Sequence, residues 1–202
     1  MMNSRIILAS SSPRRNELLH SVGIQFEVIA PSSDESLLHN DNPKDYAQRL
    51  ASEKAISVSK NLKGEFLVIG ADTIVVIDNE ILGKPSDEED ARAILSRISG
   101  SVHHVLTAFS IARPKDKILH SEVVDTKVRV KTLEPKEIEG YIKTGEPMDK
   151  AGAYGIQGFG AFMIKGIEGS YTNVVGLPLV EVLEALNKLG ALRLFCGDGF
   201  RK

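Results

Sequence analysis

The chain has one cysteine, Cys196, no tryptophan, and only 5% aromatic residues. A lone cysteine closes no internal disulfide, which suits a reducing compartment and leaves the fold to its core. No apolar run approaches the ~20 residues that span a bilayer. The short run at 6–9 passes straight into Ser, Pro and Arg, unlike a secretory leader. A cytoplasmic protein with no membrane partner is expected. An excess of one charge is missing too: 25 Lys and Arg face 27 Asp and Glu, a net of −2. That excludes the broad basic face of a nucleic-acid binder, so an anionic ligand must be small and held locally. The five histidines lack zinc-site spacing, and adjacent His103 and His104 would face opposite sides of a strand.

What is present is ordinary in amount and ordered in pattern. Apolar residues make up 42% of 202 residues, enough for a sizeable core. One domain over residues 1–195 is expected, with two lobes, followed by a disordered tail at 196–202. Strands are predicted at 5–9, 26–30, 66–77, 81–82, 102–112, 118–130 and 162–167. Helices are predicted at 13–22, 43–61, 86–99, 135–143 and 178–189, with loops at 31–42 and 145–160. Gly23 closes the first helix. Tyr46, Ala47, Leu50, Ala51, Ala55 and Val58 recur at helical spacing in the second. Ser86 and Glu89 read as the capping box of the third. The run 66–77 is apolar except at Gly70-Ala71-Asp72-Thr73, as in a strand buried on both faces. The fold class is α/β, a mixed, twisted sheet with flanking helices.

The segment Ser10-Ser11-Ser12-Pro13-Arg14-Arg15 follows a strand and opens a helix. Ser12 suits N-cap and Pro13 suits N1. Two arginines in the first turn oppose the helix dipole, at a few tenths of a kcal/mol or more each. An anion on the helix end would reverse that penalty, since free N–H groups, hydroxyls and guanidiniums suit a polyphosphate. A solvated basic turn is the alternative. Asp72 interrupts an apolar strand, where an unpaired carboxylate is costly. A strand-end Asp beside a metal and phosphates can activate water; a purely structural Asp is the alternative.

Other groups carry less by themselves. Asp34-Glu35 is a metal-binding or a solvated pair. Lys54 lies mid-helix, where a solvated face is the usual explanation. Lys84 stands between Gly83 and Pro85 in a shaped turn. The stretch from Asp149 to Gly158 is rich in glycine but lacks the Gly-Lys-Ser/Thr ending of a P-loop. Within it the Gln157 amide could read a base edge.

In this order the segments resemble the Maf family of nucleotide pyrophosphatases, over about residues 5–189. The resemblance implies a deep cleft between two lobes, an architecture shared with inosine triphosphatases, and a homodimer. It implies hydrolysis of a nucleoside triphosphate to the monophosphate and pyrophosphate with Mg²⁺ or Mn²⁺. Asp72 would be base or metal anchor, and Glu35 would assist with the metal. Arg15, Lys54 and Lys84 would hold phosphates, and Ser10 and Ser12 would donate to the same oxygens. Ala71-Asp72-Thr73 and Tyr154-Gly155-Ile156-Gln157-Gly158 are similar to the subgroup acting on dTTP and UTP. Those acting on 7-methyl-GTP carry Ser-Asp-Gln and a segment ending Ser-Glu-Gly instead. Arg14, Thr73 and Gln157 would then be specificity positions. Ser11 replaces a glycine common in the family. A purine-directed housecleaning pyrophosphatase and a nucleotide-binding regulator of cell division are the competing readings.

Overall fold

The computed structural model describes residues 5–32, 42–115 and 117–192. The expectations for Asp34-Glu35 and for the tail at 196–202 therefore lie outside the described residues. Strands are β1 (Arg5–Ala9), β2 (Glu27–Ile29), β3 (Phe66–Ile77), β4 (Glu80–Leu82), β5 (Val102–Arg113), β6 (Lys117–Val130) and β7 (Ile164–Glu168). Helices are α1 (Pro13–Ser21), α2 (Pro43–Ser59), α3 (Glu88–Ile98), α4 (Pro135–Ile142), α5 (Tyr171–Val175) and α6 (Leu179–Lys188). The sheet runs β2-β1-β3-β5-β6-β7, with β4 added to β3. Strands β1, β2 and β3 are parallel and the other pairings antiparallel, so the sheet is mixed as expected.

Central strand β3 organises the site. It runs unbroken through Gly70–Thr73, hydrogen-bonded to β5 from Val68 to Val76. Its other edge is shared: β1 pairs with Phe66–Gly70 and β4 with Val75–Ile77. Residues 71–74 are left between them without a strand neighbour on that edge. The chain leaving β1 carries Ser10–Arg15, and the chain leaving β4 carries Gly83-Lys84. Both run out beside Asp72.

Alternation along β3 sets what each face meets. Leu67, Ile69 and Ala71 pack with α1 and α6 residues such as Leu19, Val182 and Leu186. Val75 and Ile77 pack with Leu95, Ile98 and Ile142 of α3 and α4. Thr73 falls between these clusters, on the same face, so a cleft opens there between two lobes. The opposite face belongs to α2. Gly70 allows the closest approach, since a Cβ there would lie 2.3 Å from Ala51 O and 2.5 Å from Ala55 N. Helix and strand backbones are thus in direct contact, one residue pair away from Asp72.

The predicted elements shift in three places. Helix α3 begins at Glu88 with Asp87 as N-cap, its carboxylate accepting from Asp90 N–H. Asp90 in turn accepts from Ser86 N–H at 2.9 Å; the Ser86–Glu89 capping box is therefore not the one used. Asp caps as well as Ser, so the acidic run offered several registers. Residues 158–163 form a 3₁₀ segment before β7 begins at Ile164. Helix α5 was not foreseen; Ser170 caps it by accepting from Asn173 N–H.

Candidate active site

A cleft of about 940 Å³ opens at the split edge of β3. It is lined by Ser10, Ser12, Arg14, Arg15, Lys54, Asp72, Thr73, Lys84 and Gln157. These are all the sequence-derived candidates except Glu35, which lies outside the described residues.

Asp72 and Lys54 form the most buried pair. Lys54 Nζ donates to Asp72 Oδ1 at 2.7 Å, and the residues are 7% and 8% exposed. Lys54 is not on the solvated face that its mid-helix position alone would suggest, and the spacing explains why. Ala47, Ala51, Lys54, Ala55 and Val58 share the buried face of α2, so Lys54 falls on the apolar stripe. Asp72 Oδ2 accepts no hydrogen bond among the described residues. One carboxylate oxygen is therefore fixed by the lysine while the other faces the cleft.

The turn after β1 holds its serines and arginines differently from a simple anion cradle. Ser12 occupies the N-cap, but its hydroxyl caps nothing. Ser10 Oγ instead accepts from Ser12 N–H at 3.1 Å. Arg15 turns inward: Nε donates to Gly176 O at 2.7 Å, Nη1 to Ala71 O at 2.8 Å, and Nη2 to Thr73 Oγ1 at 3.0 Å. Its fork ties α1 to β3 and to the α5–α6 junction, so its charge reaches the cleft while most of its donors are committed to protein. Arg14 makes no hydrogen bond or ion pair with the described residues. It lies within electrostatic range of Asp149, on the facing wall.

That wall is the segment between α4 and β7, built of 3₁₀ turns at Glu146–Asp149, Ala151–Ala153 and Gly158–Met163 rather than an open glycine loop. Glu146 organises it. Its carboxylate accepts from Tyr141 Oη, Phe159 N–H and Gly160 N–H, each at 2.9 Å. Burial pushes this carboxyl up, but those three bonds and the nearby Lys150 outweigh burial and hold it below the usual range. Lys150 donates to Glu146 O at 2.8 Å and to Asp149 at 2.7 Å. That hydrogen bond, against some burial and with the added fields of Lys150 and Arg14, keeps the Asp149 carboxyl low. Gly152 N–H donates to Gly83 O at 2.9 Å, joining this wall to the Lys84 turn. A Cβ at Gly152 would meet Val75 at 2.9 Å. Sequence reasoning missed Glu146 and Lys150. The signal was slight: charged residues flanking a glycine stretch, with no local pattern naming their partners.

Tyr154 also lines the cleft. It is 5% exposed, and its hydroxyl lies 2.7 Å from His103 Nε2. Gln157 is exposed and lines the cleft, so of these two it is the more open to a ligand. His103 is buried, and burial, helped by His104, lowers its pKa to about 4; it is neutral at pH 7. His104 faces Asp125 at 2.8 Å, so the two histidines diverge as the strand alternation requires. No group of three or more His, Cys, Asp or Glu side chains that could hold a metal ion occurs among the described residues. No helix among them is long and apolar enough to cross a membrane.

Chemically, the cleft offers a fixed carboxylate, three flanking cations in Lys54, Lys84 and Arg15, a serine-rich helix start, and an amide on the opposite wall. The sequence profile of Maf-like proteins matches residues 5–189. A dTTP/UTP pyrophosphatase from Geotalea uraniireducens (strain Rf4) is 52% identical over 189 residues, covering 94% of this chain and 97% of the relative. One from Geobacter sulfurreducens is 51% identical over 193 residues, covering 95% and 100%. Among solved structures, a nucleoside-triphosphatase / dITP/XTP pyrophosphatase from Mycobacterium abscessus aligns at 15% identity over 94% of this chain and 97% of its own. Its TM-score is 0.42, a likeness too slight to bear on substrate or chemistry. The chain belongs to the family of Maf-like proteins.

Proposed function

We propose that this Maf-like protein is a nucleoside-triphosphate pyrophosphatase that converts dTTP and UTP to the monophosphates and pyrophosphate. The observation that carries the reading is the convergence of Ser10–Arg15, Lys54, Lys84 and Asp72 on one gap in the sheet, facing Gln157. The relatives named dTTP/UTP pyrophosphatase support the choice of base.

In this reading the triphosphate lies along the Ser10–Arg15 turn, and its base reaches the Gln157 wall. Water adds to the α-phosphorus, the bond from that phosphorus to the bridging oxygen breaks, and pyrophosphate leaves. Oδ2 is the Asp72 oxygen left to take the proton from the water or to anchor the metal, since Oδ1 is held by Lys54. Lys54, Lys84 and Arg15 stabilise the charge spreading over the phosphoryl oxygens. Ser10 and Ser12 donate to the same oxygens, and Arg14, which also lines the cleft, helps to choose the base. The Gln157 amide has both donor and acceptor, which matches the carbonyl and N–H edge of a pyrimidine. Thr73 influences selectivity beside them.

The donor set fits a hard divalent cation such as Mg²⁺ or Mn²⁺. Such ions take one or two carboxylates and complete their shell with phosphate oxygens and water. Asp72 would hold the ion, assisted by Glu35, and the ion would supply charge neutralisation on the phosphate oxygens. A homodimer in the cytoplasm completes the reading, and light scattering of the pure protein tests the dimer.

The deciding assay incubates the protein with Mg²⁺ or Mn²⁺ and a panel of triphosphates, then identifies the products. Pyrophosphate with dTMP or UMP is expected. A preference for inosine or 7-methylguanosine triphosphate overturns the pyrimidine assignment. Binding without turnover of any nucleotide replaces the enzyme with a nucleotide-binding regulator.

A further inference from the structure

Behind the cleft lies a row of buried polar groups that phosphate and base binding leave unused. Thr107, Thr126 and Asn173 are each 0% exposed. Thr107 stands opposite Thr73 in the β3–β5 ladder. Its hydroxyl donates to Asn173 O at 2.8 Å, and it lies 3.0 Å from Thr73 Oγ1.

A hydroxyl owns one proton. Thr107 spends its proton on Asn173, so Thr73 must be the donor between the two threonines. With its proton committed, Thr73 can only accept on its cleft side, and there it takes the Arg15 Nη2–H at 3.0 Å. The row therefore has one direction: Arg15 to Thr73, Thr73 to Thr107, Thr107 to the Asn173 carbonyl. Its far end is fixed, since Asn173 Nδ2 donates to Val105 O and to Thr126 Oγ1, both at 2.9 Å. Bonds in such a chain polarise and strengthen one another.

We propose that Thr107, which does not reach the cleft, is a positioning residue: it sets the proton direction at Thr73 and thereby the orientation of the Arg15 guanidinium. A consequence follows for Thr73. A hydroxyl with no proton to give cannot donate to a pyrimidine carbonyl, so Thr73 influences selectivity by holding Arg15 rather than by touching the base. Removing the Thr107 hydroxyl frees the Thr73 proton. The next acceptor is Gly176 O at 3.4 Å, the same carbonyl that takes Arg15 Nε–H at 2.7 Å. Two of the bonds that orient Arg15, those to Thr73 and Gly176, are then disturbed together.

The kinetic consequence rests on the pyrophosphatase reading; the proton geometry does not. The test compares Thr107→Val, which keeps the shape without the hydroxyl, with Thr107→Ser, in wild-type and Thr73→Val backgrounds. Thr107→Val is expected to lower kcat for UTP about tenfold, as a small misplacement of a charge-stabilising group does, with KM changed less. Thr107→Ser restores kcat. In the Thr73→Val background, Thr107→Val should change kcat by less than about twofold, because the coupling passes through Thr73. Nuclear magnetic resonance of ¹⁵N-labelled arginine gives a readout independent of turnover. The Arg15 Nη signals should be separate in the wild type and merge in Thr107→Val as the guanidinium gains rotation. Wild-type kcat in Thr107→Val, or an equal fractional loss in both backgrounds, overturns the proposal. If no triphosphate is turned over, the pyrophosphatase reading falls, and the Arg15 signals still decide: unchanged in Thr107→Val, they sink the inference. Where Thr107→Val does not fold, Thr107→Cys, a weaker donor of similar size, takes its place.

Discussion

Replacing Gly70 with alanine should break the contact that builds the site. The added Cβ would lie 2.3 Å from Ala51 O, 2.5 Å from Ala55 N and 2.9 Å from the Ala55 Cβ. None of these atoms is the yielding tip of a side chain; all belong to the α2 backbone or are fixed to it. Relief requires the helix to move off β3 by about 1 Å, and such overpacking costs ~1–3 kcal/mol. The upper end applies here, because helix and strand are both held by their own ladders. For a protein of this size ~3 kcal/mol corresponds to a fall in Tm of about 6–12 °C. The same movement carries Lys54 away from Asp72, now 2.7 Å apart. A displacement of ~1 Å at reacting groups can cost about a hundredfold in rate. Thermal unfolding followed by circular dichroism, together with steady-state hydrolysis of UTP, measures both effects. Gly140→Ala is the control. Gly140 is exposed within α4, and nothing lies within 4 Å of a Cβ there. That change should raise stability by ~0.5–1 kcal/mol and leave kcat alone. A Gly70→Ala protein with wild-type Tm and near-normal kcat would refute the close approach of α2 to β3 and the role given to it.

Other predictions concern single groups. Asp72→Asn should lower kcat by about 10²–10⁴-fold, the usual contribution of a general base, with the circular dichroism spectrum retained; near-normal turnover would remove Asp72 from the chemistry. Gln157→Glu, on the exposed wall, should reduce the preference for UTP over purine triphosphates while leaving Tm within about 2 °C of wild type; unchanged selectivity would take the base-reading role from it. His103 gives a pH signature. Its pKa falls from 6.5 unfolded to about 4 folded, so the unfolded chain binds the extra proton. Stability should therefore drop as pH falls from 6.5 to 4, by roughly 3 kcal/mol at most, and level off below. His103→Gln should flatten that part of the urea-unfolding profile, and an unaltered slope would assign the drop to other groups.

Much of the molecule was legible in one dimension. Apolar runs placed β1 and β3 at their observed bounds, and helical spacing gave α2 its buried stripe, because both patterns are written within a few residues of chain. The chemistry of Ser10–Arg15 was visible as charge on the wrong end of a helix, and Asp72 as a carboxylate in an apolar strand. Lys54 was legible too, at the spacing of the alanines and leucine around it, though a mid-helix lysine reads first as solvated. The register of the α3 cap was ambiguous because several adjacent residues make good caps, and only the backbone path chooses among them.

Tertiary structure decided the rest. It split one edge of β3 between β1 and β4, and that gap brings together turns that lie about 70 residues apart in the chain. It spent donors of Arg15 on Ala71, Thr73 and Gly176, while Arg14 lines the cleft without bonding to a described residue. It made Glu146 the anchor of the glycine-rich wall and Thr107 the source of a proton direction. Sequence determined which groups are present, which segments form strand or helix, and which positions prefer burial, because these depend on neighbours a few residues away. Who bonds to whom depends on contacts as distant as Arg15 and Gly176, 161 residues apart, and such contacts leave no periodic trace along the chain.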